Sequence, residues 1–309
     1  MANSNSKAVV YAALAGNLAI ALTKFAAAWW TGSSAMLSEA IHSTVDTSNQ
    51  GLLLIGMRRA ARPPDSTHPF GHGMEIYFWG FVVALLIFSL GGAVSVYQGV
   101  HHIFEPEPME YAWVNLAVLG ASAVFEGLSF RVAWREMRSR YPSLAPFAAM
   151  RASKDPGVFA VMLEDLAALA GIAIAFAGVS LAILLEDPLY DGIASLAIGM
   201  VLILAALFLS RETLSLLTGE SASREVLGKA RAVVTSDPRV EAAGEMLSMH
   251  LGPRDILLAL SVDFTDTLGS AEIEEAVHDL SEALRRAHPS ITRVYVKPLD
   301  GKRGRPETV

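Results

Sequence analysis

Six long apolar runs are the feature that most constrains how this chain can fold. A helix needs about 20 mostly apolar residues to cross the hydrocarbon of a bilayer, and each run is about that long or longer. The pattern therefore predicts an all-α bundle of six transmembrane helices with both chain ends on one side of the membrane. The predicted helices are approximately Val9 to Trp30, Ser34 to Met57, Phe78 to Phe104, Trp113 to Trp134, Val158 to Leu185 and Leu189 to Leu217.

Lysine and arginine alternate between the connections that join these runs. The connections on one side carry Lys7, the segment from Arg58 to Arg62, and the segment from Arg135 to Lys154, whereas the other connections carry none. Positive residues favour the cytoplasmic side of a membrane. We therefore expect an integral membrane protein, in a bacterial cytoplasmic membrane, with its N and C termini in the cytoplasm.

Charge divides the chain into two regions. Charged residues make up 18% of the sequence, but they are scarce up to Leu217 and dense from Glu220 onward. This predicts a transmembrane domain over 1–219 and a cytoplasmic domain over 220–309. The net charge of −7 provides no basic surface for nucleic acid, and the lack of cysteine excludes thiolate metal sites and thiol catalysis.

The periodicity of the C-terminal region predicts a small α+β domain. Two segments have the pattern of helices, Arg224 to Thr235 and Ala271 to His288. Three alternate as strands, Gly244 to Leu251, Ile256 to Phe264 and Arg293 to Lys297. We expect two helices packed on a three-stranded sheet, and we expect the domain to form a dimer. No phosphate-binding loop of the GxxxxGK[ST] kind is present, which argues against direct use of ATP.

The second apolar run carries ionisable residues that a membrane tolerates poorly. Glu39, His42 and Asp46 are spaced three and four residues apart, so they project from one stripe of a helix. Each ionised group near the bilayer centre costs about 2.5 to 3.5 kcal/mol, which a bound cation would offset. Imidazole and carboxylate ligands suit zinc, manganese, iron(II) or cobalt. The alternative is a polar stripe that only hydrogen-bonds to neighbouring helices.

The fourth and fifth runs contribute further acids. Glu164 and Asp165 are adjacent and point about 100° apart on a helix, so both cannot face one small site. We expect Glu164 to be the ligand and Asp165 to support it or carry protons. Glu126 is a proton-carrier candidate, as is Glu39 on the second run. An alternative for Glu126 is a structural partnership with Asn17 or Lys24.

These features together resemble the cation diffusion facilitator family of zinc and manganese transporters. The resemblance rests on the six-run layout, the His42-x-x-x-Asp46 pair, the small C-terminal domain and the loop Asp65-Ser-Thr-His68-Pro-Phe-Gly-His72-Gly. Two phrases, around Leu163-Glu164-Asp165 and Gly91 to Gly99, are similar to the branch around the ninth mammalian zinc transporter. The resemblance implies a homodimer, a ferredoxin-like (metallochaperone-like) cytoplasmic domain and alternating access coupled to proton antiport.

The loop between the second and third runs is a second candidate metal site. Asp65, His68 and His72 offer one carboxylate and two imidazoles within eight residues. The alternative is a structural loop whose histidines cap the third helix and meet a partner subunit. His101 and His102, near Glu105, could collect metal weakly, although we interpret them as interfacial anchors.

Two departures from the resemblance stand out. Family members usually pair an acid of the fifth helix with another ligand four residues away, but Ala168 and Leu169 occupy those positions here. Lys297 stands where relatives place a histidine ligand, and a cation there would repel a metal. Three histidines of the C-terminal domain lack a recognisable metal-ligand spacing, and we interpret them as surface or core residues: His250, His278 and His288.

The sequence thus predicts a secondary transporter that exports a divalent transition metal in exchange for protons. Zinc is the first candidate, with manganese, iron(II) and cobalt as alternatives, and no organic cofactor is expected. The expected partners are membrane lipid, a second copy of the chain, protons and the metal itself. A metal-binding membrane scaffold or sensor is the alternative function, and an intramembrane metal-dependent hydrolase is a weaker one, since no His-Glu-x-x-His motif is present.

Overall fold

A computed structural model describes residues 4–106 and 111–299 and divides them into two compact units. The first unit holds the described residues up to Arg58 and those from Ile76 to Leu214. The second unit holds Arg59–Glu75 and the described residues from Ser215 onward. The loop between the second and third runs therefore groups with the C-terminal region, although it was assigned by sequence to the transmembrane domain over 1–219.

The first unit is a bundle of long helices. A π-helical segment, Ile87–Ala93, joins the helix α3 (Glu75–Leu86) to the helix α4 (Val94–Phe104), so the three form one continuous helix. The short helix α6 (Pro146–Ser153) was not predicted from the sequence, although a proline at the first position is a common helix start. The helices are α1 (Ser4–Thr31), α2 (Ser34–Ala60), α3 (Glu75–Leu86), α4 (Val94–Phe104), α5 (Ala112–Arg140), α6 (Pro146–Ser153), α7 (Pro156–Leu185) and α8 (Leu189–Leu217).

Length and composition make four helical stretches suitable for crossing a membrane. They are Glu75–Phe104, Ala112–Ser139, Phe159–Leu185 and Leu189–Leu217. α1 and α2 are also long, at 28 and 27 residues, but α2 carries the polar stripe that lowers its hydropathy. A membrane helical bundle is therefore confirmed, and the count of six spans stays a prediction.

Local sequence explains how α7 begins and how two helices approach each other. Asp155 accepts a hydrogen bond from the Gly157 amide at 3.1 Å, and Pro156 occupies the first helical position. Gly99 of α4 faces Gly192 of α8 so closely that an added Cβ would lie 2.9 Å from the Gly192 carbonyl oxygen. Small residues allow this close packing where lipid provides no hydrophobic drive.

The C-terminal part of the second unit has the predicted α+β fold. Its strands lie in the order β1-β2-β3, with β1 antiparallel and β3 parallel to the central strand β2. The parallel pair is connected through a helix, as parallel neighbours require. The elements are α9 (Arg224–Thr235), β1 (Val240–Gly252), β2 (Asp255–Phe264), α10 (Ser270–Ala287) and β3 (Ile291–Leu299).

One hydrophobic core holds this domain together. Alternate residues of β2 are buried, from Ile256 to Phe264, so one face of the strand points into the core. Val234 of α9 and Leu280 and Leu284 of α10 pack against that face. Full burial of each such side chain contributes about 1.5 to 3 kcal/mol. The Val226 amide donates a hydrogen bond to the Ser223 hydroxyl oxygen at 3.3 Å, which fixes the start of α9.

Candidate metal site

The polar stripe of α2 lies inside the helical bundle. Glu39 and His42 are buried, with 0% and 1% of their surfaces exposed, and the Asp46 side chain is 14% exposed. Their spacing of three and four residues brings them to one face of the helix, as the sequence predicts. Ionisable groups that are buried in an apolar bundle require a partner or a function.

His42 and Asp46 form a pair with the spacing of two ligands on one ion. His42 Nδ1 lies 3.4 Å from Asp46 Oδ1, and two ligands of a tetrahedral zinc ion stand about 3.4 Å apart. Within the described part of the chain, neither ring nitrogen of His42 has a hydrogen-bond partner, and Asp46 Oδ1 has none either. Buried polar atoms are rarely left in this state, so the pair is suited to a cation.

A cavity of about 210 Å³ opens beside Asp46 within the first unit. Helices α2, α5 and α7 contribute the acids that line it: Asp46, Glu126, Glu164 and Asp165. Neutral oxygen donors from Ser43, Gln50 and Ser129 complete much of its polar wall. Four carboxylates around one cavity repel each other strongly unless cations or protons neutralise them.

The two adjacent acids of α7 have different hydrogen-bond partners. Asn49 of α2 donates to Glu164 Oε1 at 2.9 Å, whereas Ser129 of α5 donates to Asp165 Oδ2 at 3.0 Å. Glu164 therefore faces the helix of His42 and Asp46, and Asp165 faces α5. Both acids nevertheless line the cavity, so the expectation that only one of them could face the site was too narrow. The cavity is wide enough for two adjacent residues that point in different directions to reach its wall.

The alternative partners suggested for Glu126 are engaged elsewhere. Asn17 donates to Gln50 at 3.1 Å, and the Lys24 ammonium contacts Glu39 Oε2 at 3.0 Å. The structural pairing of Glu126 with Asn17 or Lys24 is therefore not observed among the described contacts. Glu126 lies instead on the cavity wall, which keeps its proposed role in proton transfer open.

The loop cluster, defined as Asp65, His68 and His72, belongs to the second unit. In residues 4–106 and 111–299, it is the one group of three or more His, Asp or Glu side chains whose ligand atoms all lie within 4.8 Å of one another. His72 Nε2 lies 3.0 Å from Asp65 Oδ2, and His68 Nδ1 lies 3.4 Å from Asp65 Oδ1. The cluster therefore has ligands suited to zinc already gathered in one place.

Hydrogen bonds already fix the carboxylate of the loop cluster. The Thr67 hydroxyl donates to Asp65 Oδ1 at 2.7 Å, and the His68 amide donates to the same atom at 2.7 Å. Bonds from the Thr67 hydroxyl and from His72 lower the pKa of Asp65 well below its ordinary value. The carboxylate is therefore ionised at all physiological pH values, as a metal ligand must be.

The loop also contacts the C-terminal domain inside the same unit. Arg293 of β3 donates from Nη2 to the Phe70 carbonyl oxygen at 3.0 Å, and its guanidinium lies 5.2 Å from the centre of the Phe70 ring. The second contact is a cation–π interaction. His72 Nδ1 lies 3.2 Å from Glu75 Oε1 at the start of α3, so the histidine also contacts the helix that follows. The loop can therefore contact the neighbouring elements and still offer its side chains to a metal.

Another buried acid, on α8, contacts the turn between α1 and α2. Asp191 of α8 is fully buried and accepts hydrogen bonds from the Ser33 hydroxyl at 2.7 Å and the Ser34 amide at 2.6 Å. His102 Nε2 lies 3.9 Å from Asp191 Oδ2 and is itself buried. His101 is half-exposed and lies 3.5 Å from Glu105. Of the two residues interpreted as interfacial anchors, only His101 has the exposure that this role needs.

The C-terminal domain shows no comparable cluster among its described residues. His250 is buried on β1, His278 is exposed on α10, and His288 follows that helix. Lys297 is exposed on β3, opposite Ser261 in the strand register. These positions agree with the interpretation of the histidines as surface or core residues.

Three polar contributors to the membrane site were not assigned from the sequence. Asn49 and Ser43 continue the polar stripe of α2, and their spacing from Asp46 could have identified them. Ser129 lies one helical turn after Glu126, so the same argument applies to α5. Asp191 was also missed, although a lone acid early in an apolar run is a usable signal.

Comparisons with known proteins identify the family. A family model for the cation efflux transmembrane domain matches residues 10–218. The human mitochondrial proton-coupled zinc antiporter SLC30A9 is 34% identical over 243 residues, which are 78% of this chain and 43% of that protein. Metal tolerance protein C4 of Arabidopsis thaliana is 30% identical over 265 residues, 85% of this chain and 58% of that protein. The cation-efflux pump FieF of Pectobacterium atrosepticum is 27% identical over 268 residues, 85% and 82% of the two chains. The chain thus spans less than two thirds of the length of the first two relatives.

Proposed function

The chain belongs to the cation efflux family of membrane transporters, and we propose that it exports a divalent transition-metal ion, zinc first, in exchange for protons. Members of this family are transporters rather than enzymes, so the hydrolase alternative is set aside. The observation that carries the proposal is the cavity lined by four carboxylates, one of which, Asp46, pairs with the buried His42. A divalent cation is the ligand that such a site would take.

We assign the metal to His42, Asp46 and Glu164. His42 supplies an imidazole nitrogen that otherwise has no partner among the described residues, and Asp46 supplies a carboxylate 3.4 Å away. Glu164 is drawn toward the same helix by Asn49. Asp165, held by Ser129, supports the site from the α5 side, and Glu126 is a proton carrier at the wall of the cavity.

Zinc remains the first choice of metal for two reasons. The His42 ligand favours zinc over magnesium or calcium, which prefer oxygen donors alone. The human relative, which is 34% identical to this chain, is named as a zinc antiporter. Manganese, iron(II) and cobalt have overlapping ligand preferences and stay as alternatives.

Proton exchange follows from the chemistry of these ligands. His42 must be neutral and the carboxylates must be ionised to bind a metal, so binding releases protons from the site. Protons that return from the other side of the membrane displace the metal in turn. Metal affinity at this site should therefore fall as the pH falls.

The arrangement in the membrane completes the proposal. We propose six spans, with α1 and α2 added to the four stretches that meet the criteria of length and composition. We place the chain in a bacterial cytoplasmic membrane, and the alternation of Lys and Arg supports termini on its cytoplasmic side. We also propose a homodimer, because the C-terminal domain offers a three-stranded sheet with partly exposed apolar residues, Leu247 and Tyr295, beyond its core.

The test is metal flux in sealed vesicles that contain the purified protein and a pH-sensitive dye. Zinc entry should alkalinise the lumen, because protons leave as the metal enters, and an imposed pH gradient should drive zinc movement. Manganese, iron(II) and cobalt are compared at equal concentrations. Zinc binding without movement would favour the scaffold or sensor, an alternative that the missing ligands at Ala168 and Leu169 keep open. Zinc movement that ignores pH would favour a channel.

A further inference from the structure

A buried lysine lies at the edge of the proposed transport cavity. Lys24 belongs to α1, and its side chain is 0% exposed. Its ammonium contacts Glu39 Oε2 at 3.0 Å and donates to the Ser43 hydroxyl at 2.8 Å. Ser43 lines the cavity, and Asp46 follows it on the next turn of α2. A fixed positive charge therefore lies beside a site that must attract a metal cation.

The second oxygen of Glu39 has a different environment. Glu39 Oε1 is buried and has no hydrogen-bond partner within the described residues. It points at Gly171 of α7, where any added Cβ would collide with it. Glycine at this position therefore leaves room for the carboxylate between the two helices. Lys24 is the partner that holds Glu39 in this place.

The charge of Lys24 extends beyond its direct contacts. The Ser43 side chain that it contacts follows His42 in the sequence and precedes Asp46 by one helical turn. In a medium of low dielectric, such a charge is felt over several ångströms. A divalent ion that arrives at His42 and Asp46 must therefore bind against this repulsion, while the carboxylates attract it.

We propose that Lys24 is an internal counter-cation of the transport cavity, which Glu39 holds at a fixed distance so that metal binding is weak enough to permit release. The inference rests on the proposed function and deepens it. Lys24 is a positioning residue, because it contacts neither the proposed ligands nor the ion. Glu39 acts through Lys24 by preventing the ammonium from pairing with Asp46 or Glu164.

The proposal predicts opposite effects for the two members of the pair. Lys24→Gln keeps a hydrogen-bond donor near Glu39 and Ser43 but removes the charge, so zinc should bind about 10-fold more tightly, which corresponds to about 1.4 kcal/mol of removed repulsion. Its KM should fall, and its maximal rate should fall as release slows. Glu39→Gln frees the ammonium to compete with the metal, so zinc should bind about 10 to 100-fold more weakly. The double variant should return toward the wild-type affinity.

The experiment measures equilibrium zinc binding to the detergent-purified full chain, together with flux in vesicles. Lys24→Arg keeps the charge and should bind zinc nearly as the wild type does. Lys229→Met removes the lysine of an exposed pair with Glu225 on α9 and is the matched control, without effect on either readout. Asp46→Ala marks the loss of the membrane site.

Shifts of the same sign in the two single variants, or no shift, would overturn the counter-cation. A purely structural pair would lower the yield of folded protein without opposite changes in affinity. Should Lys24→Gln fail to fold, Glu39→Gln compared with Lys24→Arg decides the question, because unchanged affinity in Glu39→Gln contradicts the proposal. If the wild type binds zinc but moves none, the proposed transport function is wrong. The order of zinc affinities among the variants still tests the proposed role of Lys24.

Discussion

The membrane cavity and the loop cluster use the same ligand types in opposite settings. At the cavity, Glu164 and Asp165 are buried, as is the neighbouring His42, and the described structure leaves His42 without hydrogen bonds. In the loop, Asp65 is half-exposed and is already bound by Thr67 and His72. The loop ligand atoms lie within 4.8 Å of one another, whereas the larger membrane set does not meet that distance among the described residues.

This difference indicates different tasks for the two sites. An assembled cluster can bind and release metal with little rearrangement, but solvent screens the charges of its two exposed members, Asp65 and His68. A buried set that is spread over α2, α5 and α7 must draw its helices together to enclose an ion. Binding at the second kind of site is therefore coupled to conformation, which alternating access requires. We expect transport to depend on the cavity and regulation or collection of metal to depend on the loop.

The largest expected effect is the loss of transport in Asp46→Ala. Removal of one of about four ligands at a buried site should lower zinc transport by at least 100-fold, because the remaining groups cannot complete the coordination. Flux in vesicles is the measurement, and size-exclusion chromatography checks folding. His68→Ala is the matched comparison at the loop. Near-normal transport by Asp46→Ala would contradict the assignment of transport to the cavity.

The two acids of α7 should differ in their effects. Glu164→Gln should abolish transport as Asp46→Ala does, because Glu164 faces the helix of the other ligands. Asp165→Asn should cost about 10 to 100-fold in affinity, the usual range for a supporting group. Both are measured by zinc titration of flux, with Ser129→Ala as a control that removes only the hydroxyl bonded to Asp165. Equal loss in the two acid variants would mean that both coordinate the metal.

Most of the fold could be predicted from the sequence because lipid requires long apolar runs, whereas water requires helices and strands with one apolar face. The end of the fifth run at Leu185 and both ends of the last run, Leu189 and Leu217, match the helices, since lipid demands unbroken apolar stretches. The helix Arg224–Thr235 was also predicted to the residue from its helical spacing, and the structure shows that a Ser223 cap begins it. The π-helical segment Ile87–Ala93 was missed, because its apolar residues are equally compatible with a regular helix.

The site was predicted less completely, for a physical reason. Helical spacing identifies residues that share one helix, such as His42 and Asp46, but not which helices meet. The pairing of Asn49 with Glu164 and of Lys24 with Glu39 connects residues 115 and 15 positions apart, which periodicity cannot reveal. The loop histidines could be found from their spacing, whereas the contact of Phe70 with Arg293 depends on tertiary structure.

A smaller effect is expected from the loop cluster. His68→Ala with His72→Ala should remove one metal per chain and raise the KM for zinc a few-fold, because a solvated site contributes little to the membrane step. Since the pKa of Asp65 lies below its ordinary value, the carboxylate stays ionised well below pH 5, and its contribution to loop order is lost only in stronger acid. Loop metal binding should therefore weaken in acid through protonation of the imidazole ligands before it weakens through Asp65.

Zinc titration between pH 5 and pH 8 measures this dependence, and Asp65→Asn is the comparison. That variant should lose loop binding at every pH in the range. A loss of transport in the double-histidine variant as large as that in Asp46→Ala would remove the distinction between the two sites.

The smallest effect is expected from metal on the C-terminal domain. Lys297 supplies a cation rather than a ligand, and the described residues of the domain contain no group of three ligands like the loop cluster. We predict that the domain supports the dimer without metal. The full chain with Asp46→Ala, His68→Ala and His72→Ala should keep its dimeric mass when zinc is added or chelated, and it should show no tight zinc binding. Stoichiometric binding that converts monomers to dimers in this variant would make the domain a metal sensor and a third metal site beside the cavity and the loop cluster.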